Sequence, residues 1–360
     1  MKLFSAYRDS PERRAALAAP RGAIERYRLF GLDELEERGA SVRHNLERQV
    51  PRWARAASGA ANKAVYGAGG YGGDFASILA ALRTLNTCDV VFSTVDTVGV
   101  PLVLLRRLRL VRPPLVYTSV GLPERLDRLR PGRVRAHYRR ALRCCSSILA
   151  YTMSEANRLR EWIGSGGPPI AFVPFGVDTR SFRPVERPPE FDVVSVGADP
   201  RRDFALLVRI AERRSAWTFR IVATREHTRA LGDAPHNVTF ETDIPLTDVR
   251  DRFAAARVVA LPVRENSYSG ATTTLLQAMS MAKPVIASRT AAIADGYGLE
   301  DGDNCRLVAP GDEAGFERAL VETLTGAGAA EALGTRARET VERNLSWERY
   351  TNTLWKLLAP

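Results

Sequence analysis

Short apolar runs alternate with amphipathic stretches along the chain, and the alternation falls into two sets. In the first set, the runs at residues 2–6, 89–93, 115–119, 147–151 and 171–173 predict strands. Helical patterns lie between them. Ile24, Tyr27, Leu29, Leu32 and Leu35, for example, are spaced so that one apolar stripe faces a core. The pattern breaks at residues 181–190, Ser-Phe-Arg-Pro-Val-Glu-Arg-Pro-Pro-Glu, where neither a helix nor a central strand continues easily. It resumes with predicted strands at 192–196, 218–223, 238–240, 257–261, 284–287 and 305–308. Strands alternating with helices predict parallel sheets covered on both faces. Two such sets joined by a Pro-rich linker predict two α/β domains, residues 1–183 and 184–345. Between the carboxyl ends of their strands a ligand cleft is expected. Tyr350, Leu354, Trp355 and Leu358 add a last helix at about 347–358 whose apolar stripe needs a partner.

A length of 360 residues fits two domains, and 45% hydrophobic with 26% charged residues excludes disorder, collagen and a coiled-coil rod. No apolar run reaches the ~18 residues of a membrane span. The first residues, Met1-Lys2-Leu3-Phe4-Ser5-Ala6-Tyr7-Arg8, lack the apolar stretch of a secretion signal, so a cytoplasmic location is expected. Cys88, Cys144, Cys145 and Cys305 show no metal-ligand spacing and are expected as reduced, mostly buried thiols. The net charge of +11 comes from 52 cations of which only four are lysine. That arginine bias runs along the whole chain, as a GC-rich codon composition would produce, and no interleaved aromatic and basic pattern of the stacking type accompanies it. Nucleic acid is therefore not an expected partner. Weak peripheral contact with the anionic inner face of a membrane is compatible with the same charge.

The most informative stretch is residues 264–289, Arg-Glu-Asn-Ser-Tyr-Ser-Gly-Ala-Thr-Thr-Thr-Leu-Leu-Gln-Ala-Met-Ser-Met-Ala-Lys-Pro-Val-Ile-Ala-Ser-Arg. A loop of small residues opens directly into a helix expected over 272–281. The amides from Gly270 through Ala271, Thr272, Thr273 and Thr274 would point out of that helix N-terminus, with the Ser269 and threonine hydroxyls beside them. Unpaired N–H groups and the positive end of the helix dipole make an anion site. Gln277, one turn on, suits ribose hydroxyls. A merely capped helix fits the same residues.

This stretch resembles the donor-binding motif of the retaining glycosyltransferases of family 4, whose members carry Glu, seven residues, Glu, then Ala-Met-Ala-x-Gly-x-Pro-Val-Ile-Ala-Ser. The two glutamate positions fall here on Ser269 and Gln277, and residues 277–288 match closely. Phe172-Val173-Pro174-Phe175-Gly176-Val177-Asp178, residues 300–312, and Arg21-Gly22-Ala23-Ile24-Glu25-Arg26 resemble further family blocks in the right order. The resemblance implies a GT-B fold of two Rossmann-like domains, with residues 346–360 returning to the first. It implies a retaining hexosyltransferase with a UDP- or GDP-type sugar donor, no cofactor, and an acceptor held by the first domain. That acceptor would be lipid-linked, a polysaccharide or a small molecule. Arg202 takes the place of the family's lysine at the donor pyrophosphate, and Gly22 joins the diphosphate site from the first loop. Arg202 and Gln277 are thus the expected catalytic residues, with Gly22, Ser269, Gly270, Ala271, Thr272 and Thr273 around the donor. A cation plus a helix N-terminus at the diphosphate implies metal independence.

Three positions depart from the family pattern. Ala198 stands where relatives have an arginine, with Arg264 as a candidate substitute. Val120 stands where many have a histidine near the sugar, and Ser269 replaces a glutamate. These changes keep two other readings open: a non-catalytic nucleotide-sugar-binding module, and a sugar phosphorylase or epimerase on the same architecture. Asp301-Gly302-Asp303 sits in a predicted turn and is not expected to bind metal. Gly67, Gly69 and Gly72 follow no buried strand and do not predict dinucleotide binding; a mobile acceptor loop and a plain helix connection both fit. Ser154-Glu155 reads as a helix cap.

Overall fold

A computed structural model describes residues 1–266, 268, 270–293 and 295–359. The chain divides into two compact units, Met1–Val173 with Thr351–Pro360, and Pro174–Tyr350. In the first, β1 (Lys2–Ala6), β2 (Ser41–His44), β3 (Val90–Ser93), β4 (Leu115–Ser119), β5 (Ser147–Ala150) and β6 (Ile170–Phe172) form one sheet ordered β2-β1-β3-β4-β5-β6. In the second, β7 (Phe191–Val196), β8 (Phe219–Ala223), β9 (Val238–Thr242), β10 (Ala256–Leu261), β11 (Val285–Ser288) and β12 (Arg306–Val308) are ordered β12-β11-β10-β7-β8-β9. Every strand pair is parallel. The α/β class and the parallel sheets expected from the alternation are what the chain adopts.

Central strands are buried along their whole length, as β3, β4 and β11 show, because helices cover both faces. In the first unit, Phe4, Val91, Leu115 and Ile148 pack against Ile78, Leu102 and Leu159 of the flanking helices. In the second, Val193, Ile221, Val258 and Ile286 pack against Leu207, Ile210 and Leu320. Burial of each such side chain contributes about 1.5–3 kcal/mol.

Some expectations need correction. The four residues of β2, Ser-Val-Arg-His, form a half-exposed edge strand with a single aliphatic residue, so no hydrophobic alternation marks them. The stripe from Ile24 to Leu35 is not one helix. A 3-10 turn over Ile24–Leu29 and a helix over Leu32–Glu37 are separated by Phe30 and Gly31, whose φ values of 53° and 88° interrupt it. The first unit ends at Val173 rather than at residue 183. The Val177 amide donates to Leu345 O at 2.9 Å and Ser280 Oγ donates to Phe182 O at 2.6 Å, which ties the segment before the prolines to the second unit.

The last helix, Trp347–Leu358, is divided between the units after Tyr350 rather than preceded by a boundary at residue 345. Trp347 and Tyr350 stack on Phe175 of the second unit, with ring centroids 5.7 and 5.1 Å away. From Thr351 onward the helix belongs to the first unit, where Asn352 accepts a hydrogen bond from Arg38. Thr351 and Leu354 pack over Gly31, which has room for no side chain: a Cβ there would lie 3.0 Å from the Thr351 methyl group.

Candidate functional site

Strands β7 and β10 are neighbours, with Val193 opposite Val258 and Val194 opposite Val259. The loops leaving their carboxyl ends therefore emerge side by side, as the geometry of open parallel sheets requires. Backbone bonds stitch them together: Asp203 N donates to Pro262 O at 3.0 Å, Arg264 N donates to Arg201 O at 2.8 Å, and Arg202 bridges to Val263. The amide of Val263 donates in turn to Ser288 Oγ at the end of β11, at 2.9 Å.

Arg202 lies inside this joint with only 3% of its surface exposed. Its side chain folds back over Gly197, where any Cβ would come within 2.1 Å of Nε, and Nη2 donates to Val196 O. Of the adjacent arginines, Arg201 keeps partial exposure while Arg202 is buried. Nε and Nη1 are buried with no hydrogen-bond partner among the described residues. Burial pushes the guanidinium pKa down to about 10, and the nearby charge of Asp199 works against that fall. The group is still a cation at neutral pH. Several kcal/mol of desolvation are typical for an ion so placed, and an incoming anion would offset them.

Across the joint, the helix Thr272–Ser280 begins without a cap, for Ala271 at its N-cap position supplies no side-chain acceptor. Among the described residues, no side chain accepts from its first-turn amides. Thr272 Oγ1 is buried and unpartnered among the described residues, while Thr273 and Thr274 are half-exposed. Gln277 is buried one turn further on, and its side chain makes no hydrogen bond among the described residues. Ser269 lies outside the described residues. Gly270 approaches Asp199 so closely that a Cβ would stand 2.3 Å from Oδ2. Asp199 Oδ1 accepts from the Arg201 amide at 2.7 Å and from the Tyr268 hydroxyl at 2.9 Å.

The second unit thus brings together Arg202, Gly270, Ala271 and Thr272 among the expected residues, with Thr273 and Gln277 on the same helix. Gly22 belongs to the first unit, in an exposed turn where Ala23 N donates to Pro20 O and φ is 81°. Arg264, the candidate substitute for the arginine missing at Ala198, has a 59% exposed side chain 3.7 Å from Asp203. Sequence reasoning missed Asp199, Tyr268 and Asn266. The Asn266 Nδ2 donates to Arg264 O while its Oδ1 is buried and unpartnered among the described residues. An Asp two residues before an amide it accepts from is a recognisable turn signal; Asn266 had none.

The first unit holds a second polar cluster, at the end of β4. Asp96 accepts from the Tyr117 hydroxyl at 2.7 Å and from the amide of Val120 at 3.3 Å. Glu155, fully buried, accepts from Ser119 Oγ at 2.6 Å and Gly121 N at 2.7 Å. Desolvation chiefly, and then the charge of Asp96, pushes the Glu155 carboxyl up to about 7. Desolvation likewise pushes Asp96 up to about 6, against its bond from Tyr117. The cap of the following helix is Thr152, whose Oγ1 accepts from Glu155 N at 3.0 Å, and not Ser154 as the sequence suggested. The glycine run 67–73 is a pinned connection: Asn62 exchanges two bonds with Gly73, and Tyr138 OH exchanges two with Tyr71. Asp301 accepts from the Leu307 amide at 2.8 Å in a turn that holds β12.

Residues 193–326 match the family model described as Glycosyl transferases group 1. No curated protein matches the sequence. Among solved structures, sucrose-phosphate synthase from Thermosynechococcus elongatus is similar over 99% of this chain and 98% of its own, with a TM-score of 0.72 at 17% identity. HepE from Anabaena in complex with UDP and glucose is similar over 99% of both chains, with a TM-score of 0.68 at 15% identity. A glycosyltransferase from Rickettsia africae follows at 0.64 and 11%, over 99% of this chain and 98% of that one. The fold is that of the GT-B glycosyltransferases, and the matched segment is the unit that carries Arg202 and the uncapped helix.

Proposed function

We propose that the chain is a retaining, metal-independent glycosyltransferase that moves a hexose from a UDP- or GDP-sugar to an acceptor bound by the first unit. The observation that carries this reading is Arg202, a buried guanidinium with two nitrogens unpartnered among the described residues, in a loop stitched to residues 262–264, the segment that leads toward the helix Thr272–Ser280. Two donors of fixed geometry suit the oxygens of a diphosphate. When the anomeric carbon–oxygen bond breaks, the electron pair stays on the departing diphosphate, and a preorganised cation with helix amides stabilises that charge. Gln277 grips the ribose hydroxyls, and Thr272 and Thr273 add hydroxyl donors. HepE, solved with UDP and glucose, supports a uridine nucleotide as the first donor to try.

A panel of UDP- and GDP-sugars in a thermal-shift assay identifies the donor, since a ligand at 100 times its Kd stabilises by about 2.7 kcal/mol. Hydrolysis or transfer followed by NMR then reports whether the product keeps the anomeric configuration. Inverted product would refute retention, and activity lost with a chelator and restored by manganese would refute metal independence. A second reading, a nucleotide-sugar-binding module without catalysis, is favoured by Val120, whose amide is occupied by Asp96 and whose side chain offers no donor. Donor binding without hydrolysis or transfer selects it. Dependence on free phosphate selects a phosphorylase, and conversion of the sugar with the donor otherwise intact selects an epimerase.

A further inference from the structure

We propose that Asp199 sets the charge selectivity of the diphosphate site, favouring the intact nucleotide sugar over the free nucleoside diphosphate released from it; this rests on the donor site proposed above. Asp199 lies in the same loop as Arg202, three residues before it, and its carboxylate faces the start of the opposite helix. Among the described residues, both bonds it receives fall on Oδ1, from the Arg201 amide and the Tyr268 hydroxyl. That leaves Oδ2 directed at Gly270, so close that only glycine fits there. The carboxylate is therefore held from both loops rather than free to turn away.

A fixed negative charge at this position acts differently on the two ligands. A nucleotide sugar carries two negative charges on its bridged phosphates. Release of the sugar turns one bridging oxygen into a terminal phosphate, whose second ionisation near pH ~6 adds a third charge at neutral pH. Arg202 and the helix amides attract both ligands, while Asp199 opposes the third charge most. The arrangement thus lowers the affinity for product more than the affinity for donor, and lessens product inhibition. Asp199 is a specificity-determining residue of the site and not a participant in bond breaking.

The test is calorimetric titration of the full-length wild type and Asp199→Asn with two ligand pairs, UDP with UDP-glucose and GDP with GDP-mannose. Asparagine keeps the Oδ1 acceptor for Arg201 and Tyr268 and removes only the charge. For the pair that the wild type binds, we expect the diphosphate to bind about five- to tenfold tighter to the variant and the nucleotide sugar about two- to threefold tighter. In the wild type, added salt should narrow the difference between the two ligands. Equal shifts for both ligands, or no shift in a folded variant, overturn the proposal and leave Asp199 as a turn-former. Should Asp199→Asn not fold, Asp199→Ser undergoes the same comparison; if neither folds, the residue is structural and the proposal is overturned. If wild type and variants bind none of the four ligands, the donor-site reading itself fails and this inference with it.

Discussion

A buried cation with unpartnered nitrogens is costly, and Arg202 shows what such a residue implies. If its place in the fold were purely structural, Arg202→Met would destabilise the second unit. We expect the reverse: replacing an ion with only one hydrogen bond from its buried guanidinium among the described residues by an apolar side chain of similar length should raise the melting temperature by a few degrees. Affinity for the nucleoside diphosphate should fall roughly 10- to 100-fold, the size of a lost charge-assisted hydrogen bond. Denaturation curves and titrations on the same protein check both signs together. For Gln277, alanine should cost the nucleotide about 0.5–1.5 kcal/mol, a several-fold loss, with the fold intact. Gln277→Glu should retain binding, since a carboxylate can grip two hydroxyls. Equal affinities across the three proteins would remove Gln277 from the site. Glu155 gives a pH signature instead. Its folded pKa, about 7, is raised above the ordinary carboxylate value, so its contribution to stability is full below about pH 4.5 and is lost as pH rises through 7. The wild type should lose on the order of 2 kcal/mol over that window, and Glu155→Gln should flatten the loss. Urea midpoints measured from pH 5 to 8 decide it.

At the level of elements, the candidate site is two loops leaving adjacent parallel strands; the strands and their loops were legible in the sequence, their adjacency was not. The helix at 272 and its small-residue approach follow from local sequence, because helix termini obey local rules. Arg202 could be located only through the resemblance, since nothing in its own neighbourhood distinguishes it from the other arginines. Asp199 signalled a turn and no more, because its pairing with Tyr268 comes from a contact between two loops 69 residues apart, and Asn266 carried no signal. The edge strand β2 escaped because half-exposed strands lack a continuous apolar run. In the same way Glu155 read as part of a helix cap, although the fold buries it against Ser119 and Gly121. The closeness of the two loops also predicts that Gly270→Ala is poorly tolerated. The added methyl would press on Asp199 and on the Tyr268 ring, 2.8 Å away. We expect a cost of about 1–3 kcal/mol and a clear loss of nucleotide affinity, measured by urea unfolding and titration. A variant as stable as wild type with unchanged binding would mean that the loops do not meet this way.

For the whole molecule, the chain passes from the first unit to the second after Val173 and back again after Tyr350. Leu354, fully buried, anchors the returning helix beside Gly31. Leu354→Ala should therefore destabilise the first unit by about 2–4 kcal/mol, read as a lowered urea midpoint with proteolytic nicking first appearing before residue 173. Nicking that begins in the second unit instead would place the anchor elsewhere. This return has a consequence for synthesis. A ribosome makes the chain from its N-terminus at about 5–20 residues per second, and domains usually fold as they emerge. Here the surface around Gly31 leaves the ribosome well before its cover, Thr351 and Leu354, because the whole second unit is made in between. Throughout the interval in which the second unit is made, the first remains one helix short, so the nascent protein carries an open apolar seam that closes only once residues 351–358 have emerged.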